Sequence, residues 1–178
     1  MRVQFPSYAS LSEARKGETP PNRVSLDGVW KFKLLNSVND LTSEVLEEDF
    51  ENSQWDDIQV PGAWTRQISE DKPHYTNIVM PWPGYEPPDV PEDNPTGIYQ
   101  KVINISSSFI NDKCILHIGS AESIVLVFCN GVFIGLGKDS RLPSEFNLTP
   151  YLREGENVLT LVIPKWSDAT WIEDQDHW

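Results

Sequence analysis

The chain has 178 residues, which fits one domain with a single substantial core. Its 14 Lys and Arg residues against 27 Asp and Glu residues give a formal net charge of −13, with no basic run or basic-aromatic stripe. This disfavours polyanions, and we expect no nucleic-acid partner. Because no run of about 18 apolar residues and no apolar N-terminal region occurs, we also expect no membrane span and no signal peptide.

Cysteine and histidine give no pattern of a metal site. Cys114 and Cys129 are too few for a disulfide framework and form no CxxC pair for zinc. His74, His117 and His177 lie far apart in the sequence, with no HxxxH or HxH spacing. We interpret the cysteines as buried free thiols in neighbouring strands, which predicts a reducing, cytoplasmic setting.

The first third of the chain predicts an arm and two strands. Residues 1–24 are polar and predict an arm that lies on another surface rather than in a core. SLDGVWKFKLL (25–35) places Trp30, Phe32 and Leu34 at alternate positions, which predicts a strand with one solvent-facing side. Residues 41–52 form the only plausible helix, and 55–64 predict a short strand that stops at a Pro-Gly pair.

A proline-rich stretch follows, from Pro73 to Pro95, with seven of the fourteen prolines of the chain. No helix or strand tolerates that density, because proline lacks the N–H donor. The stretch also carries large apolar side chains that would be costly to leave in water: Tyr75, Ile78, Val79, Met80, Trp82 and Tyr85. We therefore predict a long irregular loop that is ordered and packed on the domain.

Strands dominate the remainder. GIYQKVINI (97–105) and CILHIG (114–119) predict a first pair, and ENVLTLVIPKW (156–166) predicts the last strand. Asn130 and Gly131, flanked by β-branched and aromatic runs, predict a two-residue hairpin turn. With little helix and no βαβ alternation, the predicted fold is all-β, an antiparallel β-sandwich of jelly-roll type, with a closed barrel as the alternative.

The stretch TWIEDQDHW (170–178) gathers carboxylates between two tryptophans. Carboxylate oxygens suit a hard cation, although the stretch is not a DxDxDG loop and a solvated acidic rim is the alternative. Asp174 and Asp176 stand two positions apart on one segment. They therefore cannot lie on opposite faces of a sugar ring as the two carboxylates of a glycosidase do.

Six of the seven tryptophans divide into two groups. Trp30, Trp55 and Trp64 follow strand patterns and predict core positions. Trp82, Trp171 and Trp178 lie in loops or at ends, where they either stack on a sugar or pack at a domain contact.

Seven motifs occur in an order that resembles a known family. They are SLDGVWKF, VPGAWTRQ, PHYTN, VPEDNPTGIYQ, FCNGVFIG, KDSRLPSEFNLTPYLREGENVL and KWSDATWIEDQDHW. Together they resemble the N-terminal sugar-binding domain of β-galactosidases in glycoside hydrolase family 2, of the bacterial lacZ-like branch. The resemblance covers roughly residues 7–178. Any one motif has little specificity, but seven in register indicate the family.

The resemblance implies a galactose-binding-domain-like jelly roll over residues 25–178, after the arm of residues 1–24. It also implies a larger enzyme in which an immunoglobulin-like domain and a catalytic (α/β)8 barrel follow. In that family both catalytic glutamates and the magnesium site lie on the barrel. We therefore expect this segment to be an excised first domain without a catalytic residue or activity of its own. The implied partners are the remaining domains and further copies in a homotetramer.

Two positions match family residues that reach the active site on the barrel. Asn77, in YTN, matches an asparagine that hydrogen-bonds galactosyl hydroxyls. Asp176, in EDQDHW, matches an aspartate that contacts the galactosyl group and helps to hold a sodium ion. The residue types suit these roles, because an amide donates and accepts while a carboxylate accepts from hydroxyls and ligates a hard cation. The alternatives are a loop-capping amide at Asn77 and a solvated acid at Asp176.

Other motif residues predict structural roles. Residues 94–97 predict a turn between the proline-rich loop and a strand. Asp139, Ser140, Arg141 and Glu145 predict a polar cluster that holds a loop on the sandwich, with Asp139 or Glu145 as the ion-pair partner of Arg141.

Three functions remain open on the sequence. The first is a non-catalytic sugar-binding domain of a retaining β-galactosidase that hydrolyses terminal β-D-galactosides such as lactose. The second is an independent carbohydrate-binding module, and the third is a structural and assembly element. Family 2 β-glucuronidases and β-mannosidases are the alternative for the sugar, whereas the YTN and EDQDHW motifs favour galactose.

Overall fold

Short strands make up most of the regular structure in the computed structural model, which describes residues 8, 10–17, 20, 22–74 and 80–173. The strands are β1 (Gly28–Leu35), β2 (Asp56–Val60), β3 (Thr96–Ile105), β4 (Ile115–Ile118), β5 (Ile124–Cys129), β6 (Val132–Lys138), β7 (Ser144–Asn147) and β8 (Gly155–Pro164). The α-helices are α1 (Leu11–Lys16), α2 (Ser107–Ile110) and α3 (Thr170–Glu173). Short 3₁₀ turns span Val38–Asp40, Ser43–Leu46 and Trp64–Arg66. None of the described helices is long and apolar enough to cross a membrane.

The strands form two antiparallel sheets. The larger has the order β2-β1-β3-β8-β5-β6, and the smaller pairs β4 with β7. The chain crosses between the sheets from β3 to β4 and back at β5, then again from β6 to β7 and back at β8. This confirms the predicted antiparallel β-sandwich. The barrel alternative is wrong for the described residues, because β2 and β6 end the larger sheet and do not pair with each other.

The core lies between the two sheets. Alternate residues of β1 and β3 face it, so Phe32 stands directly opposite Tyr99 with ring centroids 4.9 Å apart. The smaller sheet covers this layer with Leu116 and Phe146, both buried. Of the three tryptophans predicted as core residues, Trp30 and Trp64 are buried, whereas Trp55 is only partly buried, against the apolar cluster on the outer face of the larger sheet. Burial of this apolar area is the main driving force for folding.

Irregular chain covers the outer face of the larger sheet, where Ile98, Phe128 and Val162 form a second apolar cluster with Val45. The prediction of a helix over 41–52 is wrong, because the chain forms the 3₁₀ turn Ser43–Leu46 there. The Val45 carbonyl accepts a hydrogen bond from the Gln100 side chain at 2.9 Å. That carbonyl would otherwise accept from an N–H four residues later in an α-helix.

The Asn-Gly hairpin between β5 and β6 is confirmed. Asn130 and Gly131 have φ values of 50° and 77°, the left-handed conformation that a type I′ turn requires at both positions. The Asn130 side chain also joins the turn to the neighbouring strand, since its Oδ1 accepts from the Val158 N–H at 2.8 Å.

Other local predictions are corrected. The strands at 97–105 and 114–119 do not pair with each other, because β3 lies between β1 and β8 while β4 pairs with β7. Cys114 and Cys129 are buried and free as predicted, but Cys114 precedes β4 and Cys129 ends β5, strands that lie in different sheets. Burial raises the pKa of Cys129 to about 11 and also raises that of Cys114.

The proline-rich stretch is partly described. Residues 73–74 and 80–95 form no helix or strand, as predicted, and Met80 and Trp82 are buried. Tyr85 is 41% exposed, so its ring does not take part in the packing that the sequence predicts. Tyr75, Ile78 and Val79 lie outside the described residues.

Within the predicted arm, the described residues include the helix α1. It is capped by Ser10, whose side chain accepts from the Glu13 N–H at 3.2 Å, and it ends at Gly17 in the left-handed region. None of the residues of this helix is buried, whereas Pro20, also in the predicted arm, is buried.

Candidate functional site

The two predicted sugar-contacting residues, Asn77 and Asp176, lie outside the described residues. The chain next to each of them is described. Residues 71–74 and 80–82 flank Asn77, and residues 165–173 precede Asp176. We call these three segments the loop cluster.

A buried ion pair joins the first segment to the third. Lys165, directly after β8, is 8% exposed, and Asp71 is 7% exposed. The Lys165 ammonium donates to both Asp71 oxygens at 2.7 and 2.8 Å and to the Lys72 carbonyl at 3.0 Å. It also lies 2.9 Å from His74 Nδ1. Because an ammonium only donates, this contact requires Nδ1 to accept and places the imidazole proton on Nε2.

The carboxylate of this pair has a second donor. The indole N–H of Trp64 donates to Asp71 Oδ2 at 2.7 Å. Trp64 is a core residue whose ring contacts Phe32 and Tyr99. Asp71 is therefore held from the core side by Trp64 and from the end of β8 by Lys165, which satisfies both buried charges.

Aromatic contacts join all three segments. Trp82 packs edge-on against Trp166 and Trp171, with ring centroids 4.4 and 5.9 Å apart. His74 packs edge-on against Trp166, with ring centroids 5.6 Å apart. Trp171 donates from its indole N–H to the Asp89 carbonyl at 2.9 Å. Trp82 is therefore buried in the domain and Trp171 is partly buried against it, whereas Trp178 lies outside the described residues.

The Trp82 indole has one polar atom without a partner. Its Nε1 is buried and makes no hydrogen bond within the described structure. A buried donor of this kind usually has an acceptor.

Asn94 holds the end of the proline-rich loop against Trp166. Its side chain donates to the Trp166 carbonyl at 2.8 Å and accepts from the Trp166 N–H at 2.9 Å. The Thr96 hydroxyl donates to the Asn94 carbonyl at 2.9 Å, and the Lys165 N–H donates to the Pro95 carbonyl at 2.9 Å. These contacts support the predicted structural role of the 94–97 turn.

The third segment ends in α3, which leads towards Asp176. Both Glu173 oxygens accept from the Ser140 N–H at 3.1 Å, so the first carboxylate of the acidic stretch holds the loop after β6. Asp168, two residues before α3, pairs with Lys138, and this hydrogen bond lowers the pKa of Asp168. The chain around α3 is thus held at two points, both at or just after the end of β6.

The predicted polar cluster at 139–145 is formed differently from the prediction. Asp139 Oδ1 accepts from the N–H groups of Arg141 and Leu142 at 2.9 and 3.0 Å, so it stabilises the turn itself. The Arg141 side chain lies 3.5 Å from Glu122, which is its ion-pair partner in place of Asp139. Glu145 lies 3.7 Å from His117 Nδ1, across the β4–β7 pair.

An open groove of about 2130 Å³ runs along the core-facing side of the larger sheet beside β4. Its lining includes Pro73, His74, Lys165 and Trp166, all in the loop cluster. The residues that precede Asn77 and Asp176 in the sequence therefore border one continuous opening.

No group of three or more His, Cys, Asp or Glu residues in the described part of the chain could hold a metal ion. The predicted sodium ligand, Asp176, is outside that part, so the sodium site remains a prediction. No sequence pattern pointed to Lys165 or Asp71. The one available signal is a lysine that directly follows a buried apolar strand, and such a lysine requires a carboxylate or other acceptors nearby.

Comparison with known proteins places these features in a family. The family described as "Glycosyl hydrolases family 2, sugar binding domain" matches residues 24–178. A β-galactosidase of Vibrio cholerae is 41% identical over 176 residues, which are 99% of this chain and 17% of that protein. A β-galactosidase of Halalkalibacterium halodurans is 39% identical, over 96% of this chain and 17% of that protein. The chain thus spans about a sixth of the length of these curated relatives.

Solved structures show the same fold at lower identity. A β-glucuronidase of Bifidobacterium dentium superposes with a TM-score of 0.59 at 24% identity, over 78% of this chain and 19% of that one. A β-glucuronidase of Faecalibacterium prausnitzii gives a TM-score of 0.59 at 21% identity, over 79% of this chain and 20% of that one. The matches in sequence and fold agree, and the chain belongs to glycosyl hydrolases family 2, whose sugar binding domain it forms over residues 24–178.

Proposed function

We propose that this chain is the non-catalytic sugar-binding domain of a retaining β-galactosidase that hydrolyses terminal β-D-galactosides such as lactose. Its role is to supply contacts to the galactosyl group and to a sodium ion, at an active site on a barrel domain outside these residues. The catalytic glutamates and a magnesium site belong to that barrel, as the resemblance implies. The proposal further includes a cytoplasmic location and a homotetrameric parent enzyme.

The observation that carries the proposal is that the chain next to Asn77 and the chain that precedes Asp176 pack against each other at Trp166. His74 and Trp82, on either side of Asn77, both contact Trp166. Trp166 belongs to the segment that continues through α3 towards Asp176. The described chain on both sides of Asn77 is thereby packed against the described chain that precedes Asp176, which supports the proposal that the two residues serve one site.

Asn77 and Asp176 have different roles, because an amide and a carboxylate make different contacts. The Asn77 amide donates to one hydroxyl and accepts from another, so it distinguishes the orientation of hydroxyls on the ring. The Asp176 carboxylate accepts from hydroxyls and is an oxygen ligand of the type that a hard cation takes. Sodium bound there would supply a positive charge that orients sugar oxygens. Neither residue forms or breaks a bond, and both act by positioning the substrate.

The sugar class follows from the relatives. The β-galactosidases are 35–41% identical over nearly the whole chain. The two solved β-glucuronidases described above are 24% and 21% identical and support the fold alone. This difference favours a galactoside over a glucuronide.

The test uses the polypeptide encoded by the complete reading frame that contains residues 1–178. We expect turnover of a chromogenic β-galactoside and not of the matching β-glucuronide. Asn77→Ala and Asp176→Ala should each lower kcat/KM by at least about tenfold, because each removes a contact to the galactosyl group. The exposed Asn39 and Asp49 offer matched controls, and Asn39→Ala and Asp49→Ala should leave kcat/KM unchanged.

The 178-residue chain by itself should not turn over the galactoside, and turnover by the pure chain would contradict the proposal. Titration of the same chain with galactose or lactose separates the second candidate. Saturable binding at millimolar or lower concentration, lost in Asn77→Ala and in Asp176→Ala, would show an independent carbohydrate-binding module instead.

A further inference from the structure

The Lys165 contacts have a feature that packing alone does not require. Three of the four acceptor atoms around its ammonium lie on Asp71 and Lys72, and the fourth is His74 Nδ1. All of them belong to four consecutive residues that end three positions before Asn77. An ammonium has three N–H donors, so these acceptors use its full capacity. The Lys165 side chain therefore holds residues 71–74, which precede Asn77 in the sequence.

The backbone of Lys165 is also held in place. Its N–H donates to the Pro95 carbonyl. The Asn94 side chain hydrogen-bonds both the N–H and the carbonyl of the next residue, Trp166. Lys165 follows β8, which is paired along its length with β3. The ammonium is thus presented from a rigid part of the sheet to an irregular loop.

We propose that Lys165 is a positioning residue for substrate binding, which acts by holding residues 71–74, the described chain that leads to Asn77 in the sequence. This inference rests on the function proposed above. Lys165 does not contact the sugar itself, since the Asp71 pair encloses its ammonium. Its effect on catalysis passes through Asn77, whereas Asp176 depends on the chain after Trp166.

The variants follow from the geometry. Lys165→Met keeps the length of the side chain and removes the ammonium, whereas Lys165→Arg keeps a charge that can donate to both Asp71 oxygens. Lys31→Met is the matched control, because Lys31 pairs with Asp57 at 2.9 Å on the partly exposed β1–β2 edge. All are made in the polypeptide of the complete reading frame.

We expect Lys165→Met to lower kcat/KM for a β-galactoside by at least about tenfold per folded enzyme, because small displacements of a binding group have large kinetic effects. Lys165→Arg should recover most of the loss, and Lys31→Met should show none. In the double variant Lys165→Met/Asn77→Ala the loss should be close to that of Asn77→Ala alone, because both changes remove the same contact. A purely structural role would give losses that multiply, or a lower Tm with unchanged kcat/KM.

A measurement on the 178-residue chain does not depend on activity. Amide hydrogen exchange in Lys165→Met should become at least about tenfold faster in peptides that cover residues 71–82, while peptides of β3 and β5 keep their protection. If Lys165→Met does not fold, Asp71→Asn replaces it, because it keeps an acceptor for Lys165 and Trp64 and removes the charge.

The outcomes separate the two proposals. If Asn77→Ala lowers kcat/KM but Lys165→Met leaves it within about twofold of the wild type, the positioning role is wrong and the proposed function stands. If Asn77→Ala and Asp176→Ala both leave kcat/KM unchanged, the proposed function fails, and the positioning role fails with it. Equal exchange in Lys165→Met and the wild type would overturn the positioning role in either case.

Discussion

Gly97, at the start of β3, lies where three aromatic rings meet. A Cβ added at this position would stand 2.9 Å from Phe32, 3.1 Å from Trp64 and 3.1 Å from Tyr99. Those rings are buried and contact one another, so none of them can move away without disturbing the others. The absence of a side chain at Gly97 is therefore part of the packing of the core.

We predict that Gly97→Ala lowers the free energy of unfolding by about 1–3 kcal/mol, the usual cost of an added methyl group in a packed core. Gly119→Ala is the control, because a Cβ there has no heavy atom within 4 Å. Urea unfolding of the two variants and the wild type, followed by tryptophan fluorescence, gives the comparison. Equal stability of Gly97→Ala and Gly119→Ala would show that the rings can separate.

At the scale of the element, the β5–β6 hairpin depends on the side chain of Asn130 as well as on its backbone. Nδ2 donates to the Tyr151 carbonyl at 3.0 Å and to Asn157 Oδ1 at 2.9 Å, while Oδ1 accepts from the Val158 N–H. Asn157 is itself fully buried and holds the turn before β8. The hairpin is thereby joined to β8 beyond the ladder of the sheet.

Asn130→Gly separates these two contributions, because glycine adopts a φ of 50° without strain but cannot make the side-chain hydrogen bonds. We predict a loss of about 2–3 kcal/mol in the free energy of unfolding, since three bonds are lost and the partly buried Val158 N–H loses its side-chain acceptor. Asn111→Gly removes one exposed bond, to the Ser107 carbonyl, and serves as the control. A loss in Asn130→Gly no larger than in the control would show that the turn conformation alone is important.

Elements with a local signal were predictable from the sequence. The alternation of Trp30 and Phe32 predicts the buried face of β1, and the Asn-Gly pair predicts the hairpin, because both signals lie within a few residues. The helix over 41–52 was predicted wrongly because the Val45 carbonyl accepts from the side chain of Gln100, which is more than fifty residues away in the sequence. The pairing of β4 with β7 instead of β3 has the same origin, since strand order depends on contacts between distant segments.

At the scale of the whole molecule, the two site residues that the resemblance predicts lie outside the described residues and stay predictions, and the contacts that hold the neighbouring chain were not predicted. Motif resemblance led to Asn77 and Asp176, but nothing local indicates the ion pair between Lys165 and Asp71, which are 94 residues apart in the sequence. The residues next to Lys165 and to Asp71 in the sequence give no indication that the two charges form a pair. Their partnership exists because β8 ends beside the proline-rich loop, and that is a property of the folded sandwich.

The charge of the whole chain affects its stability. A formal net charge of −13 on 178 residues produces repulsion that opposes the folded state. Raising the ionic strength from about 10 mM to about 150 mM shortens the Debye length from about 30 Å to about 8 Å, which screens this repulsion. We therefore expect the Tm of the 178-residue chain to rise with salt.

The choice of salt tests the proposed sodium contact. If Asp176 supplies only part of the site, NaCl and choline chloride should raise the Tm of the 178-residue chain equally, because screening does not depend on the cation. In the polypeptide of the complete reading frame, NaCl should give an additional rise, since a bound ion stabilises the folded state. Asp176→Asn should remove that addition, and the exposed Asp49→Asn, with the same change in charge, should keep it. A sodium-specific rise in the 178-residue chain that Asp176→Asn abolishes would instead show that the chain holds a complete site.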